Sequence, residues 1–388
     1  MLTFDVITGQ TQEQFEGTPL RLEKRVEIRA TEQGGPDLTA PMVLVTDSTQ
    51  IYVLDPAAFG IHRFDRRGHW LGTTGGEGDG PGEFRRPTAM GWLSDTLWVA
   101  DRSLSRLSFF DRAGTFLRSV RFGIVSGPAT VMPRRAAPGG RIVSVPYVSV
   151  QSATDMDSLP VLVLDEDGVV RDTLAWQAVG QVAVSVATPA SDGESVPRTM
   201  SVSHPFDRRS LLAHDPHSRW LYLGTWREGV DGRSDLELLR VTTESDTVAF
   251  VRLPLGRVAI SRRELRSYAK RIHGGLPASF RSRVSSGELA REFLGQIERP
   301  AETAVNAMVA SEDGTVWLRR TRPKATSSTQ WAGYDHTGGF VGFLEFPAEY
   351  YLMAASGGML WTIDRDALGL PTITGWVTKP ESGETEGT

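Results

Sequence analysis

The chain has 388 residues, 40% of them hydrophobic and 23% charged, with 40 glycines, 22 prolines and 10 tryptophans, which describes a turn-rich and aromatic-rich globular protein and excludes a disordered one. Its 47 acidic and 42 basic side chains leave a net charge of -5, too weak a global field to argue for nucleic acid as a partner, so none is expected. The absence of cysteine excludes disulfides, thiolate metal sites, cysteine nucleophiles and an acylated lipoprotein cysteine, and no apolar run approaches the roughly 20 residues that span a bilayer.

The first residues, Met1 to Asp5 (MLTFD), have neither the basic nor the apolar region of an export leader. Residues 1–21 are taken as an N-terminal extension, and its polar stretch Thr8 to Gln14 (TGQTQEQ) is expected to be mobile unless a partner holds it. Leu22 to Ile28 (LEKRVEI) is the first β-like segment.

Six runs of β-formers then follow, each after a Gly, Asp or Ser turn: Ile51 to Asp55, Leu97 to Asp101, Arg141 to Tyr147, Trp220 to Thr225, Thr315 to Arg320 and Met359 to Asp364. A β-rich segment precedes each across a tight turn, as Met42 to Thr46 precedes Asp47-Ser48-Thr49. A second hairpin recurs as aromatic or Leu, Asp, two variable residues and Gly, at Phe64-Asp65 to Gly68, Phe110-Asp111 to Gly114, Leu164-Asp165 to Gly168 and Tyr334-Asp335 to Gly338, with a blurred copy near Thr242 to Asp246. Six repeats of a four-stranded unit predict an all-β, six-bladed β-propeller over residues 22–377. The last unit lacks an outer strand after Thr372 to Val377, so Leu22 to Ile28 is expected to supply it and close the ring.

The spacing of the second strands is much larger on both sides of blade 4, which predicts insertions there. One, residues 260–298, is helical: Ser261 and Glu264 form a capping box, Leu265, Tyr268 and Ile272 recur at helical spacing, and a second amphipathic stretch passes through Leu289, Phe293 and Ile297. Residues 378–388 are a polar, acidic tail expected to be mobile.

From Gly80 to Val120 the sequence resembles an NHL-type repeat, on Pro81-Gly82-Glu83-Phe84, Pro87, Trp98-Val99-Ala100-Asp101, Arg106, Phe110-Asp111 and Gly114. The match is partial over blade 1, where Gly60 replaces Arg106, and faint elsewhere; the whole chain resembles bacterial six-bladed propellers. The resemblance implies a propeller, a pairing of Arg106 with Asp101, and export, hence an extracytoplasmic location. It implies no single activity, because NHL-like propellers include RNA binders, interaction modules, amidating lyases and lactonase-like enzymes.

Of the seven histidines, His62, His69, His204, His214, His217, His273 and His336, only His214 and His217 are near neighbours, and they fall in an outward turn, so no channel metal site is assembled. Asp55, Asp101 and Asp364 close second strands and could converge on a channel mouth as calcium ligands, against the plainer role of turn former. The linker Gly75 to Gly82 lacks the Lys-Ser/Thr of a phosphate loop, and no Gly-x-Ser-x-Gly elbow is present. Trp92, Trp98, Trp220, Trp317 and Trp361 could be stacking platforms for a small ligand, but their place inside strands favours packing between blades.

No catalytic, cofactor-binding or metal residue is therefore assigned, and no cofactor is expected. The expectation is a non-catalytic scaffold, a membrane-extrinsic subunit whose partner is a macromolecule, most simply a protein. The candidate contact residues are the basic group Arg257, Arg262, Arg263, Arg266, Lys270, Arg271, Arg281 and Arg283, set against the single acid Glu264. The alternatives are a metal-dependent lyase or lactonase-like hydrolase working in the channel, and a small-ligand binding protein.

Overall fold

A computed structural model describes residues 7–8, 19–29, 34–123, 131–137, 140–146, 158–178, 183–188, 198–203, 211–214, 220–228, 234–241, 248–253, 255, 257–276, 278–296, 301–303, 305–321 and 328–379. Six sheets are arranged as the blades of a propeller: blades 1 to 5 are each built on four consecutive antiparallel strands, and blade 6 on three. Blade 1 is Val43–Thr46, Gln50–Asp55, Gly60–Asp65 and Trp70–Gly75; blade 2 is Pro87–Leu93, Thr96–Asp101, Arg106–Phe110 and Phe116–Arg121; blade 3 is Pro133–Ala137, Arg141–Ser144, Ser158–Leu164 and Val170–Ala178; blade 4 is Leu211–His214, Leu221–Glu228, Ser234–Val241 and Val248–Leu253; blade 5 is Val305–Ala310, Val316–Arg320, Ser328–Tyr334 and Phe340–Pro347; blade 6 begins with Tyr351–Ser356, Met359–Arg365 and Pro371–Lys379. Contacts between the first strands run from blade 1 to 2, 3, 4, 5, 6 and back to 1, so these strands surround a central channel. All six predicted runs are second strands.

Position in the blade explains the hydrophobic patterns. Second strands are enclosed on both faces by neighbouring blades, and Ile51 to Asp55 and Leu97 to Asp101 are buried without a break. The outer strands Trp70–Gly75 and Phe116–Arg121 instead alternate half-buried and exposed residues, because one face is open to water.

The Asp-x-x-Gly turns are built as their chemistry requires. Asp65 Oδ1 accepts from the backbone N–H of Arg67 and His69, Asp165 Oδ1 from Asp167 and Val169, and Asp335 Oδ1 from Thr337 and Gly339. Gly68, Gly114, Gly168 and Gly338 take φ of 92°, 83°, 73° and 85°, the left-handed region where a side chain is strained. A further copy, which the sequence pattern did not flag, links the second and third strands of blade 6 through Asp366 and Gly369. The blurred copy near 242–246 lies outside the described residues.

Ring closure occurs at the expected place. Arg21–Ile28 pairs antiparallel with Pro371–Lys379, from Arg21 opposite Lys379 to Ile28 opposite Ile373, and becomes the outer strand of blade 6. The propeller thus reaches Lys379, two residues beyond the expected boundary at 377. Residues 380–388 lie outside the described residues. Within the N-terminal extension, Ile7 and Thr8, the second of which begins the stretch expected to be mobile, pair in parallel with Val251 and Arg252 on the outer strand of blade 4.

Both expected insertions are present, and they form one body. Between blades 3 and 4, Ala183–Thr188 pairs with Arg198–Ser203; between blades 4 and 5 come the ribbon Arg257–Ala259 with Ala301–Thr303 and the helices α1 (Arg262–Gly275), α2 (Ala278–Arg281) and α3 (Ser286–Gln296). Val186 of the first insertion packs with Leu265, Ala269, Leu289 and Phe293 of the second, which gives this satellite its own small core. The Ser261–Glu264 capping box is present, and Ser285 with Glu288 caps α3 in the same way.

Candidate functional site

The strand-end carboxylates do not converge. Asp55 and Asp101 are both fully buried, and each holds the chain entering its own blade. Asp55 Oδ2 accepts from the N–H of Thr39 at 2.6 Å, and Asp101 Oδ2 accepts from Arg85 and Arg86 at 2.7 and 2.9 Å. In blade 3, Ser144 Oγ does the same for the N–H of Met132 at 2.9 Å. The oxygens are committed to backbone amides, which leaves none directed at a shared cation.

Asp364 differs: its Oδ1 has no hydrogen-bond donor, and burial holds its carboxyl above the ordinary range. Among the described residues no group of three or more histidines and carboxylates is gathered closely enough to hold a metal.

The expected pairing of Arg106 with Asp101 does not form. The guanidinium of Arg106 instead donates to the carbonyls of Asp79, Gly80 and Glu83, and so ties down the glycine-rich linker. Asp101 is already saturated by three backbone N–H groups, Leu104 being the third at 3.0 Å, whereas the turning linker presents carbonyls that lack donors. Gly80 N–H also donates to Glu83 Oε2 at 2.7 Å, which fits the reading of this segment as a blade connection.

The histidines are dispersed. His62 is buried in the third strand of blade 1 with Nδ1 2.9 Å from Thr73 Oγ1, His69 pairs with Asp65, and His273 Nε2 donates to the carbonyl of Val284. His204, His217 and the side chain of His214 lie outside the described residues.

The tryptophans pack rather than present faces. Trp98, Trp317 and Trp361 each lie against a glycine in the directly paired position, Gly91, Gly333 and Gly375; a Cβ at Gly333 would come within 2.7 Å of the Trp317 ring. Trp92 is buried, with the guanidinium of Arg112 5.9 Å from its ring centre, and Arg240 covers Trp220 at 4.0 Å.

The structure places most of the basic group in the satellite helices. Leu265 and Ala269 of α1 are buried, and Tyr268 and Ile272 pack beside them, so the spacing of 3.6 residues per turn puts Arg262, Arg263, Arg266 and Lys270 on the solvent side. All four are exposed, and among the described residues none has a carboxylate partner. Arg271 lies 5.0 Å from the Tyr268 ring, Arg281 donates to the carbonyl of Gly274, and Arg283 is half-buried. The backbone of Arg257 is in the ribbon; its side chain lies outside the described residues.

No family model matches the chain, and no curated protein matches it in sequence. Solved structures do resemble it. A candidate exported protein from Bacteroides fragilis superposes with a TM-score of 0.51 at 10% identity, covering 97% of this chain and 100% of that one. A member of the DUF4221 family from Bacteroides vulgatus gives 0.50 at 10% identity, over 93% and 99%. The fold is that of bacterial six-bladed propellers. A gluconolactonase from Xanthomonas campestris, at 0.41 and 9% identity over 88% of each chain, is too remote to bear on activity.

The central channel holds a charged residue that the sequence reading passed over. All six first strands contribute to its wall, which is largely apolar and includes Met90, Met308 and Met353. Arg135, on the first strand of blade 3 (Pro133–Ala137), is the one charged residue among the described residues lining this part of the channel. First strands of blades 2, 3, 5 and 6 share a bulge, after which the chain carries Ala89, Arg135, Ala307 and Ala354. Aligning the four strands on that bulge would have exposed Arg134-Arg135 as the exception, but blade 3 is among the faintest repeats.

Proposed function

We propose that the protein is a non-catalytic propeller that docks an acidic protein surface through the basic face of its satellite, as a membrane-extrinsic subunit of a larger envelope assembly. One observation carries this reading: Arg262, Arg263, Arg266 and Lys270 share the exposed face of α1 and have no carboxylate partner among the described residues, while the opposite face is anchored in an apolar core. Arginines held unpaired on a fixed helix are poised to exchange water for carboxylates, which steers encounter and sets orientation. The ring behind them is a rigid platform, since each blade is packed on both sides.

An NHL-like origin of the repeat and an extracytoplasmic location belong to the same proposal; the Bacteroides fragilis structure described as a candidate exported protein is in keeping with the second. No helix is long and apolar enough to cross a membrane among the described residues, so attachment to a membrane would run through a partner or through parts of the chain outside them. The packed histidines and committed aspartates favour neither the lyase nor the lactonase reading.

The test is to isolate the protein with its partners from native membrane and soluble fractions under mild conditions, beside the triple variant R262E/R266E/K270E. The expected result is a salt-sensitive assembly that the reversal dissociates while the variant stays folded. Association indifferent to the reversal, or substrate turnover abolished by one channel substitution, would overturn the proposal.

A further inference from the structure

The channel of this propeller contains a charge without a structural reason. Arg135 is half-buried in a wall otherwise built of Leu, Val, Ala, Met and Gly with one Ser. Among the described residues, neither Arg135 nor its neighbour Arg134 has a hydrogen-bond or ion-pair partner. Burial depresses the Arg135 guanidinium and the adjacent Arg134 charge adds to the effect, while the Arg134 side chain itself is exposed and feels the charge of Arg102. Tyr351, which begins the first strand of blade 6 across the ring from blade 3, is the residue there that is electrostatically coupled to Arg135.

An arginine in an apolar channel beside two more arginines is costly, because removal from water is not compensated by a carboxylate. Such an arrangement contributes nothing to folding and persists where a ligand completes it. The geometry suits an anion. Arg134 and Arg135 lie at the end of the channel where first strands begin and second strands end, and Arg102 follows the second strand of blade 2 there. Arg319, near the end of the second strand of blade 5, stacks over the Tyr351 ring at 4.9 Å and donates to Asn306 Oδ1, which fixes that phenol at the rim. Guanidinium groups bind the paired oxygens of a carboxylate or phosphate through parallel N–H donors.

We infer that this mouth of the channel is a binding site for a small molecule bearing a carboxylate or phosphate, whose oxyanion lies between Arg134 and Arg135 and faces the Tyr351 hydroxyl. The site is separate from the basic face of α1. Because the channel wall is apolar, the rest of the ligand lies outward at the mouth.

Titration calorimetry on the full chain at low ionic strength, with inorganic phosphate and with citrate as the two probes, tests this. Arg135→Gln and Arg134→Gln are compared with the wild type, and R262E/R266E controls for the helix. Expected is saturable binding of one equivalent of at least one probe, weakened at least tenfold by Arg135→Gln, less by Arg134→Gln, and unchanged in the helix control; the probe preferred tells carboxylate from phosphate ligands. Without ligand, Arg135→Gln is expected to melt no lower than the wild type, since it removes an uncompensated charge. Three results would overturn the inference: no saturable binding of either probe, binding unaffected by Arg135→Gln, or a lower melting temperature of that variant without ligand, which would mean a structural partner holds Arg135.

Discussion

The phenol of Tyr52, on the second strand of blade 1, lies 3.0 Å from the carbonyl oxygen of Arg112 in a turn of blade 2, and its proton is shared between that carbonyl and Asp47 Oδ2, also at 3.0 Å. Burial and the Asp47 charge raise the phenol far above its ordinary value, so it stays a donor. Blades 4 and 5 repeat the tie, with Tyr222 donating to the carbonyl of Gly314 at 2.7 Å. Neighbouring blades are thus joined by directional bonds as well as by apolar contact. Tyr52→Phe keeps the ring and removes the donor, leaving a buried carboxylate oxygen short of one partner; the expected loss is about 1–2 kcal/mol in urea unfolding. Tyr222→Phe should cost about 1 kcal/mol, and the double variant their sum, because the sites are in different blade pairs.

Asp101 separates a structural from a metal-binding role. Its three backbone donors predict that Asp101→Asn, which turns one acceptor into a donor facing an N–H, loses about 2–3 kcal/mol. Calcium should leave the melting temperature of the wild type unchanged, since a ligand bound to the native state alone would raise it. A calcium-dependent rise that Asp101→Asn removes would identify the strand ends as a cation site after all.

The repeat was legible because its physics is local. Asp-x-x-Gly turns and doubly buried second strands such as Ile51 to Asp55 leave short, periodic marks, and the unpartnered Leu22 to Ile28 matched a missing outer strand. The capping box at Ser261 was legible for the same reason. The joining of the two insertions through Val186 and Phe293 was not, because it depends on contacts between segments about 100 residues apart. The destination of Asp101's oxygens was equally hidden: the repeat pattern suggested Arg106, and the backbone N–H groups of Arg85 and Arg86, which carry no sequence signature, took the site. Arg135 escaped notice because a single arginine in a short strand resembles any surface charge until the ring places it in the channel.

Closure by the N-terminal strand predicts a sharp dependence of stability on Ile28. This side chain is fully buried and packs with Ile51, Phe64, Trp361 and Ile373, so one residue bridges blades 1 and 6. Ile28→Ala is expected to cost about 2–4 kcal/mol by chemical denaturation. Removing residues 1–28 also bares the edge of Pro371–Lys379, and the truncated chain is expected to aggregate or associate through that edge in light scattering. A monomeric truncation of wild-type stability would show that the ring closes without this strand.

Acid should destabilise the fold in two stages, and the first traces to His62. Its ring is buried, Nδ1 meets Thr73 Oγ1, Nε2 has no partner, and burial lowers its pKa from the ordinary value of 6.5, an effect the Asp55 charge offsets only in part. The unfolded chain therefore takes up a proton on His62 at a pH where the folded one does not. The stabilisation from neutral His62 is complete above 6.5 and is lost as pH falls towards the folded value. The turn carboxylates Asp47, Asp65, Asp111, Asp165 and Asp335 are lowered from 3.8, mainly by hydrogen bonds to the charged form that outweigh burial, so their contribution is full above 3.8 and fades below it. Asp364, raised by burial, runs the other way, and its penalty is relieved as pH drops through its folded value. Urea midpoints measured from pH 8 to pH 3 should thus decline gently below about 6.5 and steeply below about 4. His62→Gln should flatten the first decline and leave the second intact, whatever it does to stability at pH 8; a variant that keeps the full slope between pH 6.5 and 5 would assign that stage to another group.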